Sequence, residues 1–212
     1  MVEAVIWDFG GVLTSSPFEA FARFEIERGL PIDIIRRTNA ANHFENAWAK
    51  FERAEVDLDT FDALFAEESR ALGAEVRGRE VLPLLSGDLR PQMVEALRRV
   101  KQSFKTGCIT NNLPANAIGS ASGRTLYVAE VMALFDHVIE SAKIGLRKPD
   151  PKIYRMMTDT LGVDPANCVY LDDLGVNLKP AREMGMTTIK VTSADQAIRD
   201  LEAATGLKLR AD

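Results

Sequence analysis

Asp8 closes a short apolar run, Glu3-Ala-Val-Ile-Trp-Asp8, and Gly10-Gly11 follows it. Much further along, Thr110-Asn111 ends a second run, Lys148 sits in Gly145-Leu-Arg-Lys148-Pro149-Asp-Pro, and the adjacent acids Asp172-Asp173 end a fourth. These types make chemical sense together. Asp8 and Asp173 offer hard oxygen ligands of the kind magnesium takes, and carboxylates held close repel unless a cation lies between them. A carboxylate beside a metal can also attack as a nucleophile and carry a phosphoryl group. Lys148 would neutralise charge on the nucleophile and on the transferred group, and Thr110 would donate its hydroxyl to a phosphoryl oxygen. Catalysis of this kind rests on positioning and charge stabilisation. Singly, each residue has a plainer reading: an aspartate at a strand end is ordinarily a turn or cap residue, and Thr-Asn or Lys-Pro pairs are common. The case rests on all four groups standing in order at element ends.

The elements that must position them follow from the apolar pattern. Length and β-branching make the run ending at Asp8 a buried strand. Four similar segments follow: Lys105 to Thr110, His137 to Glu140, Asn167 to Asp172 and Thr187 to Thr192. Helical patterns separate most of them. One starts at Arg90-Pro91 and aligns Val94, Leu97 and Val100. Another starts at Asp150-Pro151, an N-cap followed by proline at the first helical position. Pro180 to Met184 ends at Gly185, and the tail after Ser193 reads as one more surface helix. Strands alternating with helices predict a parallel sheet covered on both faces. Ligands bind beyond the carboxyl ends of such strands, where residues distant in sequence meet.

Residues 15 to 86 break this rhythm with helical patterns alone. Ser16-Pro17-Phe18-Glu19 predicts a capping box. Phe18, Phe21 and Phe24 share one stripe; Phe44, Ala47, Trp48 and Phe51 a second; Phe61, Leu64, Phe65 and Leu72 a third. Packing of helix on helix is the commoner use of such stripes than lining a pocket.

Composition limits the alternatives. The chain is 46% hydrophobic and 27% charged, ordinary for a globular protein with a full core. Its formal charge of −5 argues against a nucleic-acid partner, and Arg98, Arg99 and Lys101 read as a solvated helix face. Cys108 and Cys168 lie in apolar runs, as buried reduced thiols do, with no disulfide or zinc spacing. The first apolar run is too short for a signal segment, and no stretch approaches a membrane span. A reducing cytoplasm, with no membrane partner, is the expectation.

The four groups in this order resemble the motifs of the haloacid dehalogenase-like superfamily. Ile6-Trp-Asp8-Phe-Gly10-Gly-Val-Leu13 resembles its first motif, Cys108-Ile-Thr110-Asn111-Asn112 its second, and Gly145-Leu-Arg-Lys148-Pro149-Asp-Pro its third. Val169-Tyr-Leu-Asp172-Asp173-Leu-Gly-Val-Asn177-Leu-Lys-Pro-Ala-Arg182 resembles its fourth. The wording of the last two, with Phe51-Glu52-Arg53-Ala-Glu55, is similar to the branch that includes the N-terminal phosphatase domain of soluble epoxide hydrolase. The resemblance implies an α/β fold: a Rossmann-like three-layer core with a parallel sheet (residues 1–14 and 87–212) and an inserted α-helical cap domain (15–86). It implies a magnesium-dependent phosphatase acting on a small phosphorylated metabolite. Asp8 would become an aspartyl-phosphate. Phe9, Thr110, Asn111 and Lys148 would bind the substrate. Asp8, Asp173 and the backbone carbonyl of Gly10 would hold Mg2+, with Asp173 counted among the catalytic residues alongside Asp8, Thr110 and Lys148. Asp172 would orient Lys148 or a metal-bound water, and the cap would close over the substrate.

One departure stands out. Phosphatases of this family usually carry aspartate two residues after the nucleophile, where it protonates the leaving oxygen and later activates water. Gly10 stands here and cannot transfer a proton, a loss of about 100- to 10,000-fold in rate; anomeric and aryl phosphates, with good leaving groups, suffer least. Glycine here can also simply permit a turn. His43 is a candidate substitute acid from the cap, and Asn39, His43 and Arg53 are polar cap positions for specificity. The Ala-, Gly- and Ser-rich segment 113–124 either borders the pocket or is an ordinary loop. Two alternatives remain: a catalytically weak phosphoryl-ligand-binding or regulatory module, which Gly10 favours, and a metal-free 2-haloacid dehalogenase, which Gly10 also suits but which has no use for Asp172-Asp173. Oligomeric state stays open.

Overall fold

The computed structural model describes residues 1–113 and 122–210. Five strands, β1 (Ala4–Trp7), β2 (Lys105–Thr110), β3 (His137–Glu140), β4 (Cys168–Asp172) and β5 (Thr187–Lys190), form one sheet in the order β3-β2-β1-β4-β5. Every neighbouring pair is parallel. β1 is buried throughout, and its side chains alternate between two cores, as a period of two requires. Val5 and Trp7 face one core, with Val94 and Leu97 of α6 (Pro91–Val100) and Ile198 and Leu201 of α11 (Ala194–Thr205). Ala4 and Ile6 face the other, with Ile153 and Met157 of α9 (Pro151–Leu161) and Leu178 of α10 (Gly175–Glu183). Full burial of each such aliphatic side chain is worth about 1.5–3 kcal/mol.

Between β1 and α6 lie α1 (Phe18–Glu27), α2 (Ile34–Ala40), α3 (Ala47–Glu52), α4 (Leu58–Ala71) and α5 (Gly78–Val81). They enclose a separate aromatic core in which Phe61 stacks on Phe51 with ring centroids 4.3 Å apart and meets the edge of Trp48 at 5.5 Å. The chain enters and leaves this insert side by side: Thr14 bridges Leu89 antiparallel, Ser15 N–H donates to the Asp88 carbonyl at 2.8 Å, and Arg90 N–H donates to the Leu13 carbonyl at 2.8 Å. The remaining helices are α7 (Ser122–Met132) before β3 and α8 (Ser141–Ile144) after it.

Local details differ from the sequence expectations. Strands β1 and β5 are shorter than their apolar runs, and Asn167 ends a 3₁₀ turn before β4. Pro180 lies inside α10, which begins at Gly175. The capping box at Ser16 is not formed. Pro17 itself occupies the cap and α1 starts at Phe18, so Glu19 falls one position short of the box, while Ser16 Oγ accepts from Phe18 N–H at 3.5 Å. Phe44 leaves its predicted stripe: it sits in the turn before α3 and is 52% exposed. Arg99 and Lys101 are solvated, paired with Glu95 and Asp136.

Candidate active site at the carboxyl ends of the strands

Because β1, β2 and β4 are adjacent and parallel, their carboxyl ends deliver Asp8, Thr110 and Asp172-Asp173 to one edge of the sheet. Asp8, Asp172 and Asp173 each offer an oxygen to a cluster whose members lie within 4.8 Å of one another. Lys148, only 1% exposed, enters from the loop after α8; its Nζ is 2.8 Å from Asp8 Oδ1 and 2.8 Å from Asp172 Oδ2. Three carboxylates thus face one ammonium. Buried charges of this kind persist only when paired and hydrogen-bonded.

The two adjacent acids have different surroundings. Asp172 is fully buried and saturated: Tyr170 Oη donates to it at 2.5 Å, Asn177 Nδ2 at 3.1 Å, Leu174 N–H at 2.8 Å and Lys148 Nζ at 2.8 Å. Asn177 is held in turn, its carbonyl accepting from Tyr154 Oη at 2.7 Å. Asp172 is thus held from four directions with one oxygen on Lys148 Nζ. Asp173 is only half-buried, on the side of the cluster next to Gly11. Gly11 has φ +72, and a Cβ there would lie 2.3 Å from Asp173 Oδ2. The turn after Asp8 thus demands glycine at position 11, for the left-handed backbone and for the closeness of Asp173. Gly10 makes no such demand: its φ is not positive and nothing lies within 4 Å of a Cβ built on it.

The electrostatics follow from burial. Burial pushes Asp8 up to about 8, with Lys148 pulling down and Asp172 and Asp173 adding to the rise. Burial, with Asp172, pushes Asp173 up to about 6. Burial disfavours the Lys148 ammonium, but Asp172 and Asp8 outweigh it and hold the group charged, above its ordinary range. A carboxylate cluster with such elevated values is short of positive charge, which a divalent cation would supply. Asp8 and Asp173 are the two acids not saturated by protein donors, and their hard oxygens suit magnesium.

Thr110 is buried at the end of β2. Asn111 has its side chain committed: Oδ1 accepts from Lys148 N–H at 2.9 Å, and Nδ2 donates to the Lys148 carbonyl at 3.0 Å. The amide thus clamps the loop that carries the lysine. Phe9 N–H donates to Asp8 Oδ1 at 2.7 Å, fixing the carboxylate's rotamer. His43 lies in a turn, not in a helix, with its ring centroid 4.2 Å from that of Phe44. Asn39 Oδ1 is buried with no partner among the described residues, and Arg53 is tied to Glu55 and to the Phe44 carbonyl. Leu113 packs into the insert's core; residues 114–121 of the segment 113–124 lie outside the described residues. Sequence reasoning assigned no role to Tyr154, Tyr170 and Asn177. Asn177 stands in the fourth motif, five residues after Asp172, a spacing that a strand-to-helix turn folds back on itself.

The family model of haloacid dehalogenase-like hydrolases matches residues 2–185, and the chain belongs to that family. Among curated relatives, bifunctional epoxide hydrolase 2 of Sus scrofa is 31% identical across 98% of this chain and 40% of that protein. Acyl-CoA dehydrogenase family member 10 of Mus musculus is 31% identical across 97% of this chain and 19% of that protein. The chain thus spans two fifths or less of these longer relatives. Phosphatase MT3486 of Mycobacterium tuberculosis (strain CDC 1551 / Oshkosh) is 29% identical over 95% of this chain and 94% of its own length. Two solved structures share the fold. A HAD-family enzyme of Bacteroides thetaiotaomicron, in complex with magnesium and inorganic phosphate, has a TM-score of 0.56 at 18% identity, covering 89% of this chain and 93% of its own. L-2-haloacid dehalogenase of Xanthobacter autotrophicus has a TM-score of 0.61 at 20% identity, covering 99% and 86%.

Proposed function

We propose that this hydrolase is a magnesium-dependent phosphatase acting on a small phosphorylated metabolite through an aspartyl-phosphate on Asp8. The observation that carries this reading is the cluster of Asp8, Asp172 and Asp173 around the buried ammonium of Lys148. Asp8, Asp173 and the Gly10 carbonyl would hold the magnesium, which when bound screens the acids and the substrate phosphate from one another. Asp8 Oδ attacks phosphorus; the bond from phosphorus to the ester oxygen breaks, and its electron pair leaves with that oxygen. Lys148 and the Thr110 hydroxyl hold the phosphoryl oxygens. Asn111 would contribute through the main chain, since its side-chain amide is already engaged with Lys148, and Phe9 would contribute by turning its N–H from Asp8 Oδ1 to a phosphoryl oxygen. Water then attacks the phosphorus of the acyl phosphate, restoring Asp8 and releasing inorganic phosphate. With Gly10 in place of a proton donor, the leaving oxygen departs with a proton from solvent or as an anion. Ester substrates with good leaving groups are therefore favoured. The insert acts as the cap that excludes bulk water during the first step. Two buried free thiols suit a reducing cytoplasm, and among the described residues no helix is long and apolar enough to cross a membrane.

The test is p-nitrophenyl phosphate hydrolysis with magnesium, with EDTA and by Asp8→Asn. Turnover that needs magnesium and vanishes in the variant supports the reading. Gly10 favours one alternative, a phosphoryl-ligand-binding module with little turnover; a folded protein that binds magnesium and phosphate but hydrolyses nothing across a broad substrate panel would select it. A 2-haloacid dehalogenase is disfavoured by the paired acids, and chloride release in the presence of chelator would revive it.

A further inference from the structure

The loop that carries Lys148 is anchored from two sides. From the core, Asn111 clamps the Lys148 main chain. From the insert, Glu52 of α3 reaches the preceding residue: Arg147 Nε lies 2.6 Å from Glu52 Oε2, and Arg147 Nη1 donates to the His43 carbonyl at 2.6 Å. Glu52 Oε1 accepts from Trp48 Nε1 at 2.9 Å. The pair is nearly enclosed, with side chains 15% and 9% exposed, and joins positions 95 residues apart. Burial pushes Glu52 up, while Arg147, Trp48 and Lys148 pull it down, so the charge on Lys148 is felt at the insert.

We propose that Glu52 and Arg147 are positioning residues for Lys148: their ion pair seats the insert on the loop at 145–148, and the ammonium takes its place between Asp8 and Asp172 only when that seat is made. This rests on the phosphatase reading. A surface ion pair is worth little and tolerates movement. A desolvated fork held by a second carbonyl contact fixes a direction, and misplacing a reacting group by about 1 Å costs about 100-fold in rate. The turn at residues 41–46 is held by the same contact. Arg147 takes the His43 carbonyl, Arg53 takes the Phe44 carbonyl at 2.7 Å, and Asn46 Nδ2 donates to the Asn39 and Ala41 carbonyls. The insert's seat and the lysine's pose are therefore one structural event.

Four variants test this: Arg147→Met, Arg147→Lys, Glu52→Gln, and the double replacement Glu52→Met with Arg147→Met. Each is assayed for magnesium-dependent p-nitrophenyl phosphate turnover, for inorganic phosphate affinity by calorimetry with magnesium, and for melting temperature. Arg147→Met leaves Glu52 unpaired, so its melting temperature falls on any reading. The double variant leaves no unpaired buried charge and regains melting temperature. Positioning predicts that its kcat stays about ten- to hundred-fold low, with phosphate affinity reduced about ten-fold and KM for the ester little changed, and that Arg147→Lys restores part of kcat. A double variant with wild-type kcat and phosphate affinity would overturn the proposal, leaving a purely structural bridge. Wild-type protein that binds phosphate without turnover removes the phosphatase reading alone, and the affinities then decide. Wild-type protein that does neither overturns both.

Discussion

Two buried clusters of this molecule, one in the insert and one at the strand ends, are built from opposite materials. Beneath the insert, Trp48, Phe51, Phe61 and Phe65 are buried against one another, and the burial itself is the stabilising term. At the strand ends, Asp8, Lys148 and Asp172 are just as buried, and the burial is a cost that pairing only offsets. The aromatic interior lets the chain spend stability on the charged one. Damage to the first, away from Trp48 and its contact with Glu52, should therefore lower stability and spare the chemistry, whereas damage to the second should remove the chemistry and can raise stability.

The largest expected effect is on the charged side. Asp8→Asn should lower turnover of p-nitrophenyl phosphate on the order of 10,000-fold or more, because it removes the nucleophile itself; a loss under ten-fold would end the covalent mechanism. Next, Gly10→Asp should raise kcat about 100- to 10,000-fold, and more for alkyl than for aryl phosphates, because nothing lies within 4 Å of the new Cβ and the position is exposed. Steady-state kinetics on a matched pair of esters would show it. On the aromatic side, Phe21→Ala in α1 should cost about 3–5 kcal/mol of stability, read by urea unfolding, while kcat measured below the transition changes little.

Smaller effects sharpen the contrast within the site. Gly11→Ala should weaken magnesium binding about 10- to 100-fold, since its Cβ would displace the Asp173 carboxylate; titration calorimetry gives the number. The smallest is a pH effect. Asp8 and Asp173 titrate near 8 and 6 when folded without metal, against an ordinary carboxylate value of 3.8. Between about pH 4 and 8 the folded state then binds more protons than the unfolded one, so stability falls as pH rises. In EDTA the melting temperature should drop by a few degrees from pH 5 to pH 8. Magnesium should reverse the drop and release protons on binding. Asp8→Asn should melt higher than wild type at pH 8 in EDTA.

What the sequence disclosed follows the same division. β1, β2 and β4 were legible because strands buried on both faces are short, nearly continuous apolar runs, β3 and β5 through their β-branched residues; Asp8, Thr110 and Asp172 were legible as candidates because they stand at the ends of three of these strands. Gly10 and Gly11 looked alike in sequence, yet only Gly11 is forced, because the constraint comes from Asp173, more than 160 residues away. The insert was legible as helices and as stripes, but Phe44 was misplaced, since periodicity continues past a helix end that Asn46 sets by capping Ala49 N–H at 2.8 Å. The pairing of Glu52 with Arg147, and the contacts that join Tyr154, Tyr170 and Asn177 to Asp172 and to one another, were not legible, although most of these residues stand in the motifs. Side-chain hydrogen bonds between distant elements leave no period in a sequence.

Those tyrosine contacts also give the site an optical reporter. Tyr154 and Tyr170 are two of the three tyrosines in the chain. Their rings meet edge to face, 5.4 Å apart, and burial holds both hydroxyls well above the ordinary phenol range. Ionising either ring requires the packing behind Lys148 to open. In an alkaline titration followed by tyrosinate absorbance, these two residues should therefore contribute a late portion of the signal, whose onset would mark the pH at which the lysine's support gives way.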